Sequence, residues 1–170
     1  GWKRFARSVM TTDKNPKLSR QTFKTGRGAG SRTVTVLGIA KGSGMIHPNM
    51  ATMLAWIVTD YALTPRQAQK ILNETSEQTF NCLSIDGDTS TSDTAMLLAN
   101  GATGSRRGLD AASDRKFRKS IMEVAIDLTR QLAADGEGAS KFITVKVKNC
   151  KTEQDAKKVS FSIANSPLVK

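Results

Sequence analysis

TVTVLGIAKGSGMIHPNMATMLAWIVT, residues 33–59, is the stretch whose reading decides the fold. Its first part, TVTVLGIA (33–40), alternates β-branched and other side chains, as a strand with two different faces does. KGSGMIHPN (41–49) follows, with two glycines, a proline and an asparagine, and reads as an irregular turn. TMLAWIVT (52–59) is apolar almost throughout, which suits a strand buried on both faces or a short buried helix.

Working outward, KTGRGAGSR (24–32) reads as a loop; it lacks the closing Lys-Ser/Thr that a phosphate loop needs. Residues 64–80 read as a helix. Thr64 can cap it, Pro65 suits its first position, Gln67 completes a capping box, and Ala68, Ile71, Leu72 and Thr75 form an inner stripe. NCLSID (81–86) reads as a strand, GDTSTSDT (87–94) as a turn, TAMLLAN (94–100) as a buried strand and 102–113 as a small-residue loop. A second helix is expected over 114–134, capped by Asp114, with Phe117, Ile121, Val124, Ala125, Leu128 and Leu132 on one stripe. DGEGAS ends it. FITVKVKN (142–149) alternates like a half-exposed strand, and Thr152 caps a last helix through Ala156, Val159 and Ile163 that Pro167 stops. Strands and helices alternate, so the class is α/β or α+β.

A chain of 170 residues, 38% hydrophobic, can bury a modest core in one domain. No run approaches the ~18 apolar residues of a spanning helix, and the first residues, Gly1-Trp2-Lys3-Arg4-Phe5, contain no signal-peptide core. This stretch is therefore expected to be neither a membrane protein nor a secreted precursor, and its abrupt start fits a piece of a longer chain. Cys82 and Cys150 are too few for a disulfide scaffold, lie in apolar, strand-like surroundings and are expected to be buried free thiols; no Cys/His cluster points to a metal.

The net charge of +11 is uneven: +9 over residues 1–41, −4 over 42–104 and +6 over 105–170. No aromatic side chains interleave with the basic ones, and no nucleic-acid-binding motif is present. The basic surface is read as a solvated face, with no nucleic acid and no membrane among the expected partners.

Chemistry has few places to sit. The single histidine, His47, precedes a proline in a turn and reads as a structural hydrogen-bonder. Asp86, Asp88 and Asp93 can hold a cation through oxygens, but Asp and Ser also bond their own backbone in turns, and the turn reading is preferred. Thr52 sits between small residues and an apolar run. If the bond before it were cut, Thr52 would carry both a hydroxyl and a free α-amine, and such an amine can act as general base without a histidine.

KGSGMIHPNMATML with the following VTD, then NCLSIDGDTSTSDTAMLLANG, then DGEGASKFI, resemble the ornithine acetyltransferase family (glutamate N-acetyltransferase) of arginine biosynthesis. Val9-Met10-Thr11-Thr12-Asp13 is similar to that family's MTTD segment, and IANSPLVK to a helix before its second half; the resemblance runs from about residue 2 to residue 170. It implies an N-terminal-nucleophile-like fold of layered sheets and helices, with residues 1–170 its central part. It implies cleavage at Ala51–Thr52, with Thr52 as catalytic nucleophile in a ping-pong transfer of acetyl from N2-acetylornithine to glutamate. Lys41, Glu137 and one of Thr11 and Thr12 would then bind substrate. No cofactor or metal is implied, although some members accept acetyl-CoA as donor. The expected partners are the small-molecule substrates, the remaining parts of the same protein and an oligomer of cleaved chains; the expected location is cytoplasmic, or an organelle matrix in a eukaryote. The family's oxyanion-stabilising Thr-Gly pair would lie upstream of residue 1, and the strong positive charge departs from the family's acidic members. Two other classes stay open: a related N-terminal-nucleophile amidase or peptidase, and a non-catalytic basic binding module.

Overall fold

A computed structural model describes residues 1–26, 30–46, 53–88, 92–104 and 111–169. Helix α1 (Trp2–Ser8) opens the chain. Strands β1 (Lys17–Thr25) and β2 (Arg32–Lys41) pair antiparallel, with Lys17 opposite Ala40 and Thr25 opposite Arg32. β3 (Leu54–Thr59) returns antiparallel along β2, placing Leu54 opposite Lys41. Helix α2 (Pro65–Gln78) then carries the chain back, so that β4 (Thr94–Ala99) lies parallel to β3. The strand order is β1-β2-β3-β4. A parallel neighbour needs such a crossover, whereas an antiparallel one needs only a turn. The long helix α3 (Ala111–Ala134) packs across β1 and β2, and α4 (Glu153–Ala164) follows. Helices on a mixed sheet make this an α+β fold, in keeping with the layered arrangement expected.

Successive β2 side chains face opposite ways. Val34, Val36 and Ala40 lie on the face that meets α3 and join its stripe of Phe117, Ile121, Val124, Ala125, Leu128 and Leu132, each at most 1% exposed. Full burial of the valine, leucine, isoleucine and phenylalanine side chains among them contributes about 1.5–3 kcal/mol each. Tyr61 stacks on Phe117 with ring centroids 4.4 Å apart and closes one end of this layer. Gly38 sits where α3 comes nearest: a Cβ there would lie 2.5 Å from Val124 Cγ1 and 2.6 Å from Leu128 Cδ1. On the opposite face Leu37 and Ile39 are buried, and Phe5 of α1 meets Trp56 edge-on at 5.2 Å. Toward β4 that face opens, and Leu98 is 52% exposed.

Several local expectations agree with the structure. Thr64 and Gln67 form the capping box of α2, Thr152 caps α4, and 52–59 proves to be strand rather than helix over Leu54–Thr59. Others are corrected. NCLSID (81–86) is not a strand: Phe80–Cys82 is a turn of 3-10 helix, and Leu83 N–H returns to the Phe80 carbonyl at 3.2 Å. FITVKVKN (142–149) alternates but forms no strand, and Phe142 and Ile143 are exposed. A strand needs a partner edge, and this segment pairs with neither edge of the sheet. β4 is half exposed rather than buried, because it is an edge strand. Asp114 is not the cap of α3; the helix already runs from Ala111, and Asp114 instead pairs with Arg118 one turn on, at 3.0 Å. Cys82 is exposed and Cys150 half-buried; both are free, but neither is in the core, because the strands expected around them do not form.

α1 and β1 went unread in the sequence. β1 turns Lys17, Ser19 and Gln21 toward the core side, so its apolar alternation is masked.

The close approach at Gly38 gives a first test. Gly38→Ala should lower unfolding free energy by about 1–3 kcal/mol in urea titration, since the added methyl must displace two packed side chains. A variant as stable as the parent would mean that α3 can move off the sheet.

Candidate active site

Four chain segments meet at the end of β2. Asp13 follows the two threonines of MTTD, Lys17 begins β1, Gly42 follows β2, and Asp135 follows α3. The Lys17 ammonium, 1% exposed, is 2.6 Å from Asp13 Oδ1 and 2.6 Å from Asp135 Oδ2, and donates a third bond to the Asn15 carbonyl at 3.3 Å. That uses all three ammonium donors. Asp13 also accepts the N–H of Gly42 (2.7 Å) and of Thr11 (3.3 Å). Asp135 accepts the N–H of Lys14 at 2.9 Å and of Asn15 at 3.3 Å. Burial pushes both carboxyls up. The Lys17 hydrogen bond together with these N–H groups more than offsets it, so both lie below the ordinary carboxylate range.

The substrate-binding candidates hang on this cluster. Lys41, the last residue of β2, is 8% exposed and donates to Thr11 Oγ1 at 2.9 Å. Among the described residues no carboxylate lies within ion-pair distance of its ammonium. Thr12 Oγ1 and Ser43 Oγ share a hydrogen at 2.6 Å, and the Glu137 N–H donates to the Ser43 carbonyl at 2.6 Å. Glu137 itself is exposed, and its carboxylate borders Gly44, where a Cβ would lie 3.1 Å from Oε2. Thr11, Thr12, Lys41 and Glu137 are thus brought together from three separate segments. Asp13, Lys17, Asp135 and Ser43, which hold them, were not singled out by sequence. The only local signal is the i,i+4 spacing of Asp13 and Lys17, which is common.

His47, Ala51 and Thr52 lie outside the described residues. Both ends of the segment that carries them are held by the aspartates of the GDTSTSD stretch. Asp86 accepts the N–H groups of Met45 and of Ile46, the latter at 3.0 Å, and Ile85 N–H donates to the Ile46 carbonyl at 2.8 Å. Asp93 accepts the N–H of Met53. Ile46 and Met53 are each 3% exposed, so these carboxylates fasten the junction to the core. Asp86 also accepts from the N–H of Asp88 at 3.2 Å, which is the turn geometry expected.

A groove of about 780 Å³ lies elsewhere. It runs over the outer sheet face between Trp2, Arg20, Leu37, Val58 and Leu98. Leu37 is four residues from Lys41 along the strand, roughly 13 Å.

Asp93 is the carboxyl that burial affects most visibly. Desolvation raises its pKa to about 6, against the bond from Met53, and its Oδ2 is buried without a partner among the described residues. The raised value means the folded state holds the proton more tightly than the unfolded chain. Its contribution to stability is therefore favourable at low pH and lost as pH rises through about 6. Asp93→Asn should match the parent near pH 4 and become the more stable of the two by pH 7, read by thermal melts across that range. A stability difference that does not vary with pH would contradict this.

The ArgJ family model matches residues 2–170. The arginine biosynthesis bifunctional protein ArgJ of Neisseria meningitidis serogroup A is 42% identical over 99% of this chain and 41% of its own length. The protein of the same name from Zymomonas mobilis is 44% identical over the same shares. The chain thus spans about two fifths of the length of the curated relatives it matches. With the match running over essentially every residue, this chain belongs to the ArgJ family.

Proposed function

We propose that this chain is the central part of an arginine-biosynthesis enzyme that transfers acetyl from N2-acetylornithine to glutamate through an acetyl-Thr52 ester. The observation that carries the reading is Lys41: a buried residue whose ammonium bonds to Thr11 and has no carboxylate partner among the described residues. A fixed cation in that state is ready for an anionic ligand. Both amino acids carry an α-carboxylate, so one Lys41 pocket serves donor and acceptor in turn. The exposed carboxylate of Glu137, tethered to the same loop through Ser43, suits the side-chain amine that only ornithine brings. The name of the relatives, arginine biosynthesis bifunctional protein, supports the pathway.

Maturation comes first. The Thr52 hydroxyl attacks the Ala51 carbonyl, the acyl group passes from nitrogen to oxygen, and water hydrolyses the ester to free the Thr52 α-amine. Asp86 and Asp93 hold Ile46 and Met53 on either side of that bond while it reacts. In the transfer, the α-amine takes the hydroxyl proton as Thr52 Oγ attacks the acetyl carbonyl. The amide C–N bond breaks, and ornithine leaves with that proton. The glutamate amine then attacks the ester, and Thr52 Oγ leaves and regains a proton. Met53 and Ala55, both buried, give this position an apolar flank that favours amine over water. Acetyl-CoA is an alternative donor by the same ester. Segments beyond this chain complete the site, cleaved chains assemble into an oligomer, and the location is cytoplasmic.

Mass spectrometry of a full-length protein carrying this chain should show two polypeptides meeting at Ala51–Thr52. A single uncut species would remove the nucleophile and leave a binding module. Acetyl-enzyme formed from N-acetylornithine should be discharged faster by saturating glutamate than by water; equal rates would make the protein a hydrolase of the same fold. Lys41→Ala should weaken both half-reactions by about 2–4 kcal/mol, and Glu137→Gln should impair use of ornithine more than use of glutamate.

A further inference from the structure

We propose that Lys17 is a positioning residue of this site: its buried ammonium, bridging Asp13 and Asp135, fixes where Thr11, Thr12, Lys41 and Glu137 stand relative to one another. The proposal rests on the substrate-site reading above and adds residues that make no contact with substrate themselves.

The geometry is one of shared fastening. Asp13 is two residues after Thr11, and its carboxylate takes both the Thr11 N–H and the Gly42 N–H, directly after Lys41. Asp135 is two residues before Glu137 and takes the N–H groups of Lys14 and Asn15. Each carboxylate therefore ties two segments together, and Lys17 ties the carboxylates. Without the ammonium, the bonds of Lys14 and Asn15 to Asp135 and the outer bonds at Ser43 would remain, but among the described residues nothing would tie the Asp13 carboxylate, which holds Thr11 and Gly42, to that of Asp135.

The energetics point to placement rather than to stability. Three charges out of water are costly, and well-packed apolar residues of the same volume are often as stabilising. What an apolar trio cannot do is orient four backbone N–H groups. Lysine also suits the task better than arginine: its three donors meet three acceptors in separate directions, whereas a planar guanidinium would not.

The test uses a full-length protein carrying this chain, with active sites counted by the acetyl-enzyme burst from N-acetylornithine. Lys17→Met removes the bridge. Asp13→Asn is the milder variant, since it keeps the acceptor for Lys17 but turns an amide toward the Thr11 N–H. In the folded fraction of either variant, KM for N-acetylornithine and for glutamate should rise roughly ten- to a hundredfold, with a smaller change in kcat per active site. A merely structural role predicts fewer active sites with unchanged KM, and that result overturns the proposal. Should Lys17→Met not fold, Asp13→Asn decides by the same readout. Lys41→Ala run in parallel separates the two ideas. If it raises KM while Asp13→Asn does not, the substrate site stands and the positioning role falls. If Lys41→Ala leaves both KM values unchanged, the substrate-site reading falls, and this proposal with it.

Discussion

Val124 and Leu128 of α3 press on the backbone of β2 at Gly38, and that close approach governs where the rest of the chain can go. A helix of 24 residues is seated on the β1–β2 pair at this contact. Its C-terminal end arrives at the start of β1 and the end of β2, which are adjacent because Lys17 pairs with Ala40. Asp135 and Glu137 follow from there. A side chain at Gly38 would have to displace Val124 and Leu128, the residues that seat the helix from which Asp135 reaches Lys17.

Two kinds of interaction divide the work. Apolar packing, nondirectional and roughly proportional to area, sets the distance between helix and sheet. Hydrogen bonds to charged groups, short and directional, set the loops at the strand ends. The site is built of the second kind on a platform of the first. The ion pairs of Arg118 with Glu74 and Asp114 belong to neither, because they are exposed and contribute little.

The junction around Thr52 is held on the same plan. Its described ends, Ile46 and Met53, are buried in the core, and their N–H groups are taken by Asp86 and Asp93 from the stretch before β4. Because β4 runs parallel to β3, its N-terminal end, with Asp93 just before it, lies beside the start of β3 rather than at the far edge. An antiparallel β4 would put that aspartate at the other end of the sheet. The crossover helix α2 thus has a consequence for the site, although it contributes no residue to it.

The sequence by itself determined the elements whose signals are local. The α3 stripe is readable because a helix repeats its buried face every three or four residues, whatever it packs on. The α2 capping box and the Thr152 cap are readable because donor and acceptor lie three residues apart. Motif resemblance supplied the family and named Thr11, Thr12, Lys41, Thr52 and Glu137. Tertiary structure decided what needs a distant partner. FITVKVKN has the period of a strand but pairs with neither edge of the sheet, and β1 was hidden because its core side carries Lys17, Ser19 and Gln21. A lysine there reads as solvent-facing until Asp135, 118 residues away, is brought to it. Burial of a charge is a property of the assembled pair, and no window of sequence contains both members.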